Sequence, residues 1–163
     1  MYEYGGKMRG RFQWKATIQI KASYCRVWEI IDDISLIPRY HPEVKKVDLL
    51  SGQKKRAVGV KYQCTIPEGR KGNCIEEVVE YIPNQKMSTT MGEDSWGMNR
   101  MFTDFIVDTT VLPQSENSTI LLFETYYNPV GIKNTILNVL FLRSLMRKRT
   151  MKIMEGIKHL AER

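Results

Sequence analysis

The sequence predicts an α+β fold, in which a curved, seven-stranded antiparallel sheet wraps around one long C-terminal helix, with two short helices between the first two strands. Three observations lead to this prediction. One segment near the N-terminus alternates between apolar and polar residues. Six further strand-like segments follow with short connections, which requires an antiparallel meander. From Gly131 onward the chain lacks proline and its apolar residues recur at helical spacing.

The first strand and the two short helices are predicted from local patterns. Apolar and polar residues alternate over Phe12–Lys21, as they do in a strand with one buried face. Ser23 is a favourable N-cap for a short helix. A second helical turn is predicted from Asp33 to Ile37 and ends at Pro38, because proline disrupts a helix interior.

The six strands of the meander are bounded by residues that favour turns. Centring the second hairpin on the turn at Gly69 places Cys64 opposite Cys74. The same register places Tyr62 opposite Glu76. The predicted strands are Val44–Leu50, Val58–Ile66, Cys74–Ile82, Gln85–Met91, Asn99–Leu112 and Thr119–Tyr127.

The terminal helix is predicted to cover the inner face of the sheet, and thirty residues of helix would span about 45 Å. Arg143 and Thr150 interrupt its inner stripe. Because a cation on an inner face must be paired or reach water, we expect a salt bridge between Arg143 and Glu76 rather than catalysis by Glu76. The apolar residues of the stripe are Ile132, Ile136, Val139, Met146, Ile153, Ile157 and Ala161.

Composition indicates a globular protein. Hydrophobic residues make up 42% of the 163 residues and charged residues 26%. The longest apolar stretch, Thr135–Met146, is too short and too polar to span a bilayer, and the N-terminus lacks the apolar run of a signal peptide. We therefore expect a soluble, cytoplasmic protein. No nucleic-acid partner is expected, because no zinc-finger, RRM or KH signature occurs.

Positive charge is concentrated in the terminal helix. The net charge is +7, and the residues from Gly131 onward include eight Lys or Arg but two Glu. At about 100° per residue, Leu137, Phe141 and Leu145 stack on the outer face of this helix. Apolar groups followed by cations along one exposed line are typical of a surface that meets an anionic membrane. A homodimer or the N-terminal segment Met1–Arg11 is the alternative cover.

No metal site or catalytic constellation can be recognised in the sequence. Cys25, Cys64 and Cys74 lack CxxC spacing, and only His41 and His159 could supplement them. We expect reduced thiols, no metal and no cofactor. A glycine-rich phosphate loop, an HExxH motif and a Ser/His/Asp arrangement are also missing.

Several segments resemble the START-like (SRPBCC, helix-grip) superfamily, and the polyketide cyclase/dehydrase branch is the most similar. The resemblance covers nearly the whole chain. It implies a single ligand-binding domain over residues 1–163, with a cavity for a hydrophobic or amphipathic molecule such as a lipid, polyketide or aromatic compound. The segments are Ile20–Ser23, Val27–Asp33, Ile37–Pro42, Val58–Val60, Glu76-Glu77, Pro83-Asn84, Ser118-Thr119 and the terminal helix.

The residues expected to line this cavity combine aromatic rings and methionines with few polar groups. Trp96, between Gly92 and Gly97, suits a gate at the rim. The alternative for the methionines is that they fill an irregular core. The expected lining residues are Tyr62, Cys64, Glu76, Trp96, Met98, Met101, Phe105, Phe123, Tyr127, Arg143 and Met146.

Two functions compete at this point. A carrier or sensor is favoured by the apolar lining and by the lack of a catalytic constellation. A cyclase/dehydratase-type enzyme is the alternative, with Glu76, Tyr62 and His41 as candidate catalytic residues, because a carboxylate in an apolar cavity can act as a general acid. A module that docks a protein partner through the terminal helix is a third interpretation.

Overall fold

The structure is a computed structural model that describes residues 3–4, 7–66 and 72–163. Its strands are β1 (Glu3–Tyr4), β2 (Lys7–Met8), β3 (Phe12–Ile20), β4 (Lys46–Asp48), β5 (Lys61–Ile66), β6 (Gly72–Ile82), β7 (Lys86–Asp94), β8 (Phe102–Ser115) and β9 (Ser118–Pro129). Its helices are α1 (Tyr24–Asp32), α2 (Ile37–Tyr40), α3 (Met98–Met101), α4 (Gly131–Leu137) and α5 (Arg143–Ala161). A 3-10 turn, Ile34–Leu36, precedes α2, and a π-helical segment, Asn138–Leu142, joins α4 to α5.

Seven antiparallel strands form the main sheet, in the order β3-β9-β8-β7-β6-β5-β4. The chain therefore meanders from β4 to β9, and β9 then pairs with β3 at the far edge. The terminal helix runs for 31 residues, from α4 to the end of α5. The predicted fold class is confirmed, while the pair β1–β2 was not predicted.

The register of β5 and β6 agrees with the prediction. Cys64 lies opposite Cys74, and Tyr62 lies opposite Glu76. Both thiols are free and buried, whereas the thiol of Cys25 is exposed. The turn predicted at Pro67–Gly69 lies outside the described residues.

The predicted strand boundaries differ from the structure by up to three residues at most ends, and two of the differences in boundaries have a clear local cause. Pro38 lies in the first turn of α2 rather than at the end of a helix, because a residue in the first turn needs no intrahelical donor. The strand predicted from Asn99 begins at Phe102, because α3 forms a helical turn after Gly97, whose φ is +80°.

The main core lies between the inner face of the sheet and the helices α1 and α5. Ile20 and Leu121 contribute from the strands, Val27 from α1, and Met154 and Ile157 from α5, all of them fully buried or nearly so. The terminal helix therefore contributes to the core through its C-terminal half.

The N-terminal half of the terminal helix differs from the predicted inner stripe. Ile132, Ile136 and Val139 were expected to face the core, yet Ile132 is 81% exposed and Val139 is 68% exposed. The inner stripe was predicted with the period of an α-helix from Gly131 to the C-terminus. The π-helical segment, Asn138–Leu142, has more residues per turn than an α-helix, so it shifts the phase between the two halves. Ile157, beyond that segment, is buried as predicted.

A polar anchor holds the π-helical segment to the sheet. Buried Asn138 accepts a hydrogen bond from the Tyr127 hydroxyl and donates one to Gln13 Oε1 at 3.1 Å. Gln13 in turn donates to the Tyr127 carbonyl at 2.8 Å. Burial raises the pKa of Tyr127 to about 12, so its hydroxyl stays a donor near neutral pH. The helix is thereby fixed to both β3 and β9.

Gly156 allows α5 to approach α2 closely, because a Cβ at this position would overlap the Tyr40 carbonyl group. We predict that Gly156→Ala lowers the free energy of unfolding by about 2 kcal/mol, because overpacking outweighs the gain of ~1 kcal/mol in helix propensity. Chemical denaturation measures the change. Glu155→Ala, at the exposed neighbouring position, is the control and should change it by less than ~0.5 kcal/mol. A Gly156→Ala protein as stable as the control would contradict this packing.

The thiols of Cys64 and Cys74 should form an intramolecular disulfide under a mild oxidant, because directly opposed residues of antiparallel strands lie within bridging range. The reaction should be slow at neutral pH, since hydrogen bonding to Cys74 and burial raise the pKa of Cys64. Peptide mapping of a Cys25→Ser variant, which removes the exposed thiol, measures the product. Crosslinks between molecules alone would mean that the register is wrong.

Candidate functional site

A cavity of about 180 Å³ lies between the inner face of the sheet and α5. Strands β5 to β9 supply one wall, while α1, α2 and α5 supply the other. Most of the lining is apolar, which favours the burial of apolar ligand surface. The apolar side chains are Ile31, Ile37, Met87, Met91, Phe105, Val107, Phe123, Ile153 and Ile157.

Five polar side chains on the cavity wall form what we call the polar cluster: Tyr40, His41, Arg56, Tyr62 and Glu76. A chain of hydrogen bonds connects three of them. Arg56 Nη1 donates to the Tyr62 hydroxyl, which donates to Glu76 Oε2 at 2.6 Å. These three side chains place a cation, a phenol and a carboxylate in a wall whose remaining polar residues, outside the cluster, are threonines: Thr89, Thr90, Thr109 and Thr150.

Arg56 is a buried cation with several fixed partners. Its Nε donates to the Ile31 carbonyl at 2.8 Å, and its guanidinium lies 4.9 Å from the centroid of the Tyr62 ring. Burial opposes the charge, but the oxygen atoms of Tyr62, Tyr40 and Glu76 hold the pKa of Arg56 above its ordinary value. Arg56 is therefore charged at any working pH.

The two phenols of the polar cluster are neutral hydrogen-bonding groups near neutral pH. Burial raises the pKa of Tyr40 to about 12 and raises the pKa of Tyr62 well above its ordinary value. Tyr62 consequently keeps its proton while it donates to Glu76. A phenolate base is excluded at this position near neutral pH.

His41 presents a defined tautomer. Its Nδ1 accepts hydrogen bonds from the backbone N–H groups of Glu43, at 3.2 Å, and Val44, at 3.1 Å. The proton of the neutral ring must therefore be on Nε2. Burial lowers the pKa of His41, which favours this neutral form. His41 can thus offer an N–H donor from the cavity wall.

Some of the residues predicted to line the cavity do so, and the others lie elsewhere in the structure. Tyr62, Cys64, Glu76, Phe105 and Phe123 line it, and His41 does as well. Met98, Met101, Tyr127 and Met146 instead belong to a second apolar cluster with Trp14 and Phe102. Phe105 also packs against this second cluster and stacks on Tyr127, at 5.5 Å between ring centroids.

Trp96 and Arg143 also lie outside the cavity lining. Trp96 packs beside the main core and lies so close to Gly72 that a Cβ there would overlap the indole. Arg143 is exposed, in a groove beside Trp14, and the predicted salt bridge to Glu76 does not form. The π-helical segment turns Arg143 away from the cavity, and Glu76 accepts a hydrogen bond from Tyr62 instead.

Arg56 and Tyr40 were missed by sequence reasoning. Arg56 ends the run Gln53–Arg56, which looks like a solvated loop, and no local pattern separates it from Lys54 or Lys55. In the structure the loop folds back, since the Arg56 N–H donates to the Asp32 carbonyl at 3.2 Å. Tyr40 ends the short helix α2, in which Ile37 is the other buried residue.

Two further findings concern the part of the chain that the structure describes. No group of three or more His, Cys, Asp and Glu side chains is arranged to hold a metal ion there. No helix among these residues has the length and apolar character needed to cross a bilayer.

The sheet, the long helix and the cavity between them define a helix-grip protein of the START-like (SRPBCC) superfamily. The family described as "Polyketide cyclase / dehydrase and lipid transport" matches residues 11–162. The chain therefore belongs to this family. No curated protein matches its sequence.

Solved structures share this fold at low sequence identity. XoxI from Bacillus cereus is 13% identical, with a TM-score of 0.70, over 91% of this chain and 94% of that one. A START superfamily protein from Mycobacterium smegmatis is 16% identical, with a TM-score of 0.64, over 93% of this chain and 94% of that one. Norcoclaurine synthase from Thalictrum flavum, in complex with dopamine and hydroxybenzaldehyde, is 17% identical, with a TM-score of 0.68. The alignment covers 90% of this chain and 84% of that one. At these identities the similarity establishes the fold.

Acid is expected to destabilise the protein through His41. Its pKa is lower in the folded state than the ~6.5 of an unfolded chain, so the unfolded state binds more protons below that value. This contribution to stability is present above about pH 6.5 and is lost as the pH falls. His41→Asn retains an acceptor near the Nδ1 position and does not titrate. Its free energy of unfolding, from urea denaturation, should therefore fall less between about pH 7.5 and 5.5 than that of the wild type. If the free energy of unfolding of the two proteins fell equally over this pH range, His41 would not be the source of the acid sensitivity.

Proposed function

We propose that the protein binds one hydrophobic or amphipathic small molecule in the cavity and acts as a carrier or sensor, as a single ligand-binding domain. The observation that carries this proposal is a mainly apolar wall that includes one cluster of charged and aromatic polar side chains, Tyr40, His41, Arg56, Tyr62 and Glu76. Apolar surface supplies binding energy, and a few fixed polar groups orient a ligand. Family membership supports the same function.

The cavity volume favours a small ligand. A dry cavity of roughly 150 Å³ holds benzene, whereas pockets for drug-sized ligands measure about 300–1,000 Å³. At about 180 Å³, the cavity fits one substituted aromatic ring or the end of an acyl chain. A larger polyketide or lipid would need Met87 and Met91 to change rotamer, and flexible thioethers permit this.

The polar cluster favours a ligand with a polar end. Arg56 and the His41 N–H offer donors, while Glu76 offers an acceptor oxygen beside them. An end that carries both an acceptor and a donor, such as a phenol or a hydroxyketone, would complement all three residues. Norcoclaurine synthase, which has this fold, is described in complex with dopamine and hydroxybenzaldehyde, and for this chain an aromatic ligand of similar size belongs to the proposal.

A cyclase/dehydratase-type enzyme is the second candidate, and the hydrogen-bonded chain Arg56–Tyr62–Glu76 favours it. In such an enzyme Glu76 would exchange a proton with the ligand, and Arg56 and His41 would hydrogen-bond to an oxygen that gains negative charge. Glu76→Gln separates the two functions, because it keeps an acceptor for Tyr62 but removes the basic oxygen. A carrier would retain ligand affinity in this variant, and an enzyme would lose turnover.

The proposal also includes the setting of the protein. We propose a cytoplasmic protein whose terminal helix contacts a membrane or a second copy of the chain through Leu137, Phe141 and Leu145. Phe141 and Leu145 are exposed and Leu137 is half-buried, which leaves apolar surface for a partner.

Ligand binding can be tested with an apolar dye whose fluorescence increases in a nonpolar environment. The wild type should bind the dye saturably with a dissociation constant on the micromolar scale, and small phenols or fatty acids should displace it. Val107→Phe adds a ring to the cavity wall and should weaken dye binding about tenfold or more.

Val58→Phe is the matched control, because Val58 is 63% exposed and does not line the cavity. It should bind the dye as the wild type does. The proposal fails if the wild type binds no dye saturably, or if both variants bind as tightly as the wild type.

A further inference from the structure

We propose that the N-terminal half of the terminal helix docks on an anionic phospholipid surface, with a neighbouring basic groove taking a lipid phosphate group. This inference rests on the contact surface of the terminal helix in the proposed function, and it names the partner of that surface. It rests on two sets of residues. The apolar segment consists of Ile132, Ile136, Val139, Leu140, Phe141 and Leu145. The basic groove is lined by Phe12, Trp14, Lys15, Arg143, Ser144 and Arg147, together with Val139.

The apolar segment is exposed to an extent that is unusual for a core-forming helix. Ile132 is 81% exposed, Val139 is 68% exposed and Phe141 is 64% exposed. No residue of Gly131–Leu137 is buried. Single exposed apolar residues are ordinary, but a contiguous set of large ones marks a surface that meets a protein or a membrane.

Charge distinguishes a membrane from other partners. Between Glu124 and Glu155 the sequence contains no acidic residue but six Lys or Arg. Of these cations Arg149 has a partner, Glu43, at 3.4 Å. Within the described ranges, no carboxylate lies within ion-pair distance of Arg143, Arg147 or the lysines of this stretch. Each such cation near an anionic leaflet strengthens binding, so the charge complements anionic lipid.

The basic groove offers donors and lacks acidic groups. Lys15 lines the groove from β3, and Arg143, Ser144 and Arg147 line it from α5. Trp14 also lines the groove from β3, and its indole N–H is buried and has no acceptor among the residues that the structure describes. A phosphate group supplies the negative charge and the acceptor oxygens that match such a set of donors.

A second copy of the chain fits this surface less well. A two-fold dimer pairs a surface with itself, so an antiparallel helix pair centred near Val139 would bring Lys133 of one copy towards Arg143 and Arg147 of the other. Like charges would then face each other without an acidic residue between them. An anionic membrane meets both the apolar segment and the cations favourably.

Docking would bring the cavity close to the membrane. Thr150 and Ile153 of α5 line the cavity and lie about 15 Å along the helix from Phe141. An interfacial helix buries its apolar side chains about 5–10 Å deep, at the boundary between headgroups and acyl chains. A membrane-soluble ligand would therefore enter or leave the cavity near its source.

Vesicle co-sedimentation tests the proposal with the full chain. We expect the wild type to pellet with phosphatidylcholine vesicles that contain phosphatidylglycerol, and to bind at least about tenfold more weakly to phosphatidylcholine alone. Binding should also weaken at least about tenfold when ionic strength rises from about 0.05 M to about 0.5 M, because salt screens the attraction.

Two double variants separate the contributions. Ile136→Ser/Phe141→Ser removes apolar contacts, and Arg143→Gln/Arg147→Gln removes cations, so each should weaken binding to anionic vesicles about tenfold or more. Matched controls make the same changes at exposed positions elsewhere. They are Leu50→Ser/Val58→Ser and Lys45→Gln/Lys54→Gln, which should bind as the wild type does.

Each remaining outcome contradicts the proposal. Equal binding to neutral and anionic vesicles, or equal losses in the controls, would overturn it. The wild type could instead fail to bind vesicles and form a dimer by light scattering. If Ile136→Ser/Phe141→Ser then made the protein monomeric, the surface would belong to a contact with a second copy. Dye binding in the cavity, measured on the same samples, verifies folding and keeps this test separate from the proposed ligand function.

Discussion

The buried guanidinium of Arg56 is the constraint on which the organisation of the site depends. A charge in an apolar core persists only when its donors are satisfied, and removing one partner of a buried pair costs about 3–5 kcal/mol. Arg56 meets this requirement through the Ile31 carbonyl, at the end of α1, and through Tyr62 on β5. Tyr62 in turn donates a hydrogen bond to Glu76 on β6. One side chain thereby ties a helix, a loop and two strands together and makes one part of the cavity wall polar.

The cavity exists because the terminal helix is held at separate points rather than along its whole length. At one point Gly156 contacts the backbone of Tyr40, where a side chain would not fit. At another, Asn138 is hydrogen-bonded to Tyr127 and Gln13. Between these points the helix spans the sheet, and the side chains of the sheet do not fill the space completely. On both sides of the second point, large apolar side chains of the helix are exposed among the residues that the structure describes, so the same helix carries the internal cavity and an apolar external surface.

Local patterns predicted the elements and the registers, but not the residues whose positions depend on distant contacts. Alternation identified β3, and the turn centred on Gly69 placed Tyr62 opposite Glu76, because strand geometry is set within a few residues. Arg143 was placed wrongly, because the π-helical segment Asn138–Leu142 shifts the helical phase between the residues that precede it and the residues that follow it. Arg56 was missed because its burial results from a loop that folds onto α1, and no local signal encodes such a contact. The methionines were divided between two clusters for the same reason.

The central claim is that the cavity holds one small hydrophobic or amphipathic molecule. Native mass spectrometry of the protein purified from its own cells, without detergent, tests this most directly. The account predicts a population with one noncovalent adduct of low mass, which denaturation releases and which Val107→Phe largely excludes. The adduct should be an aromatic or single-chain compound, in keeping with a volume of about 180 Å³. A protein that carries the mass of the chain alone, and that gains no adduct when offered phenols, fatty acids or polyketides, would contradict the account.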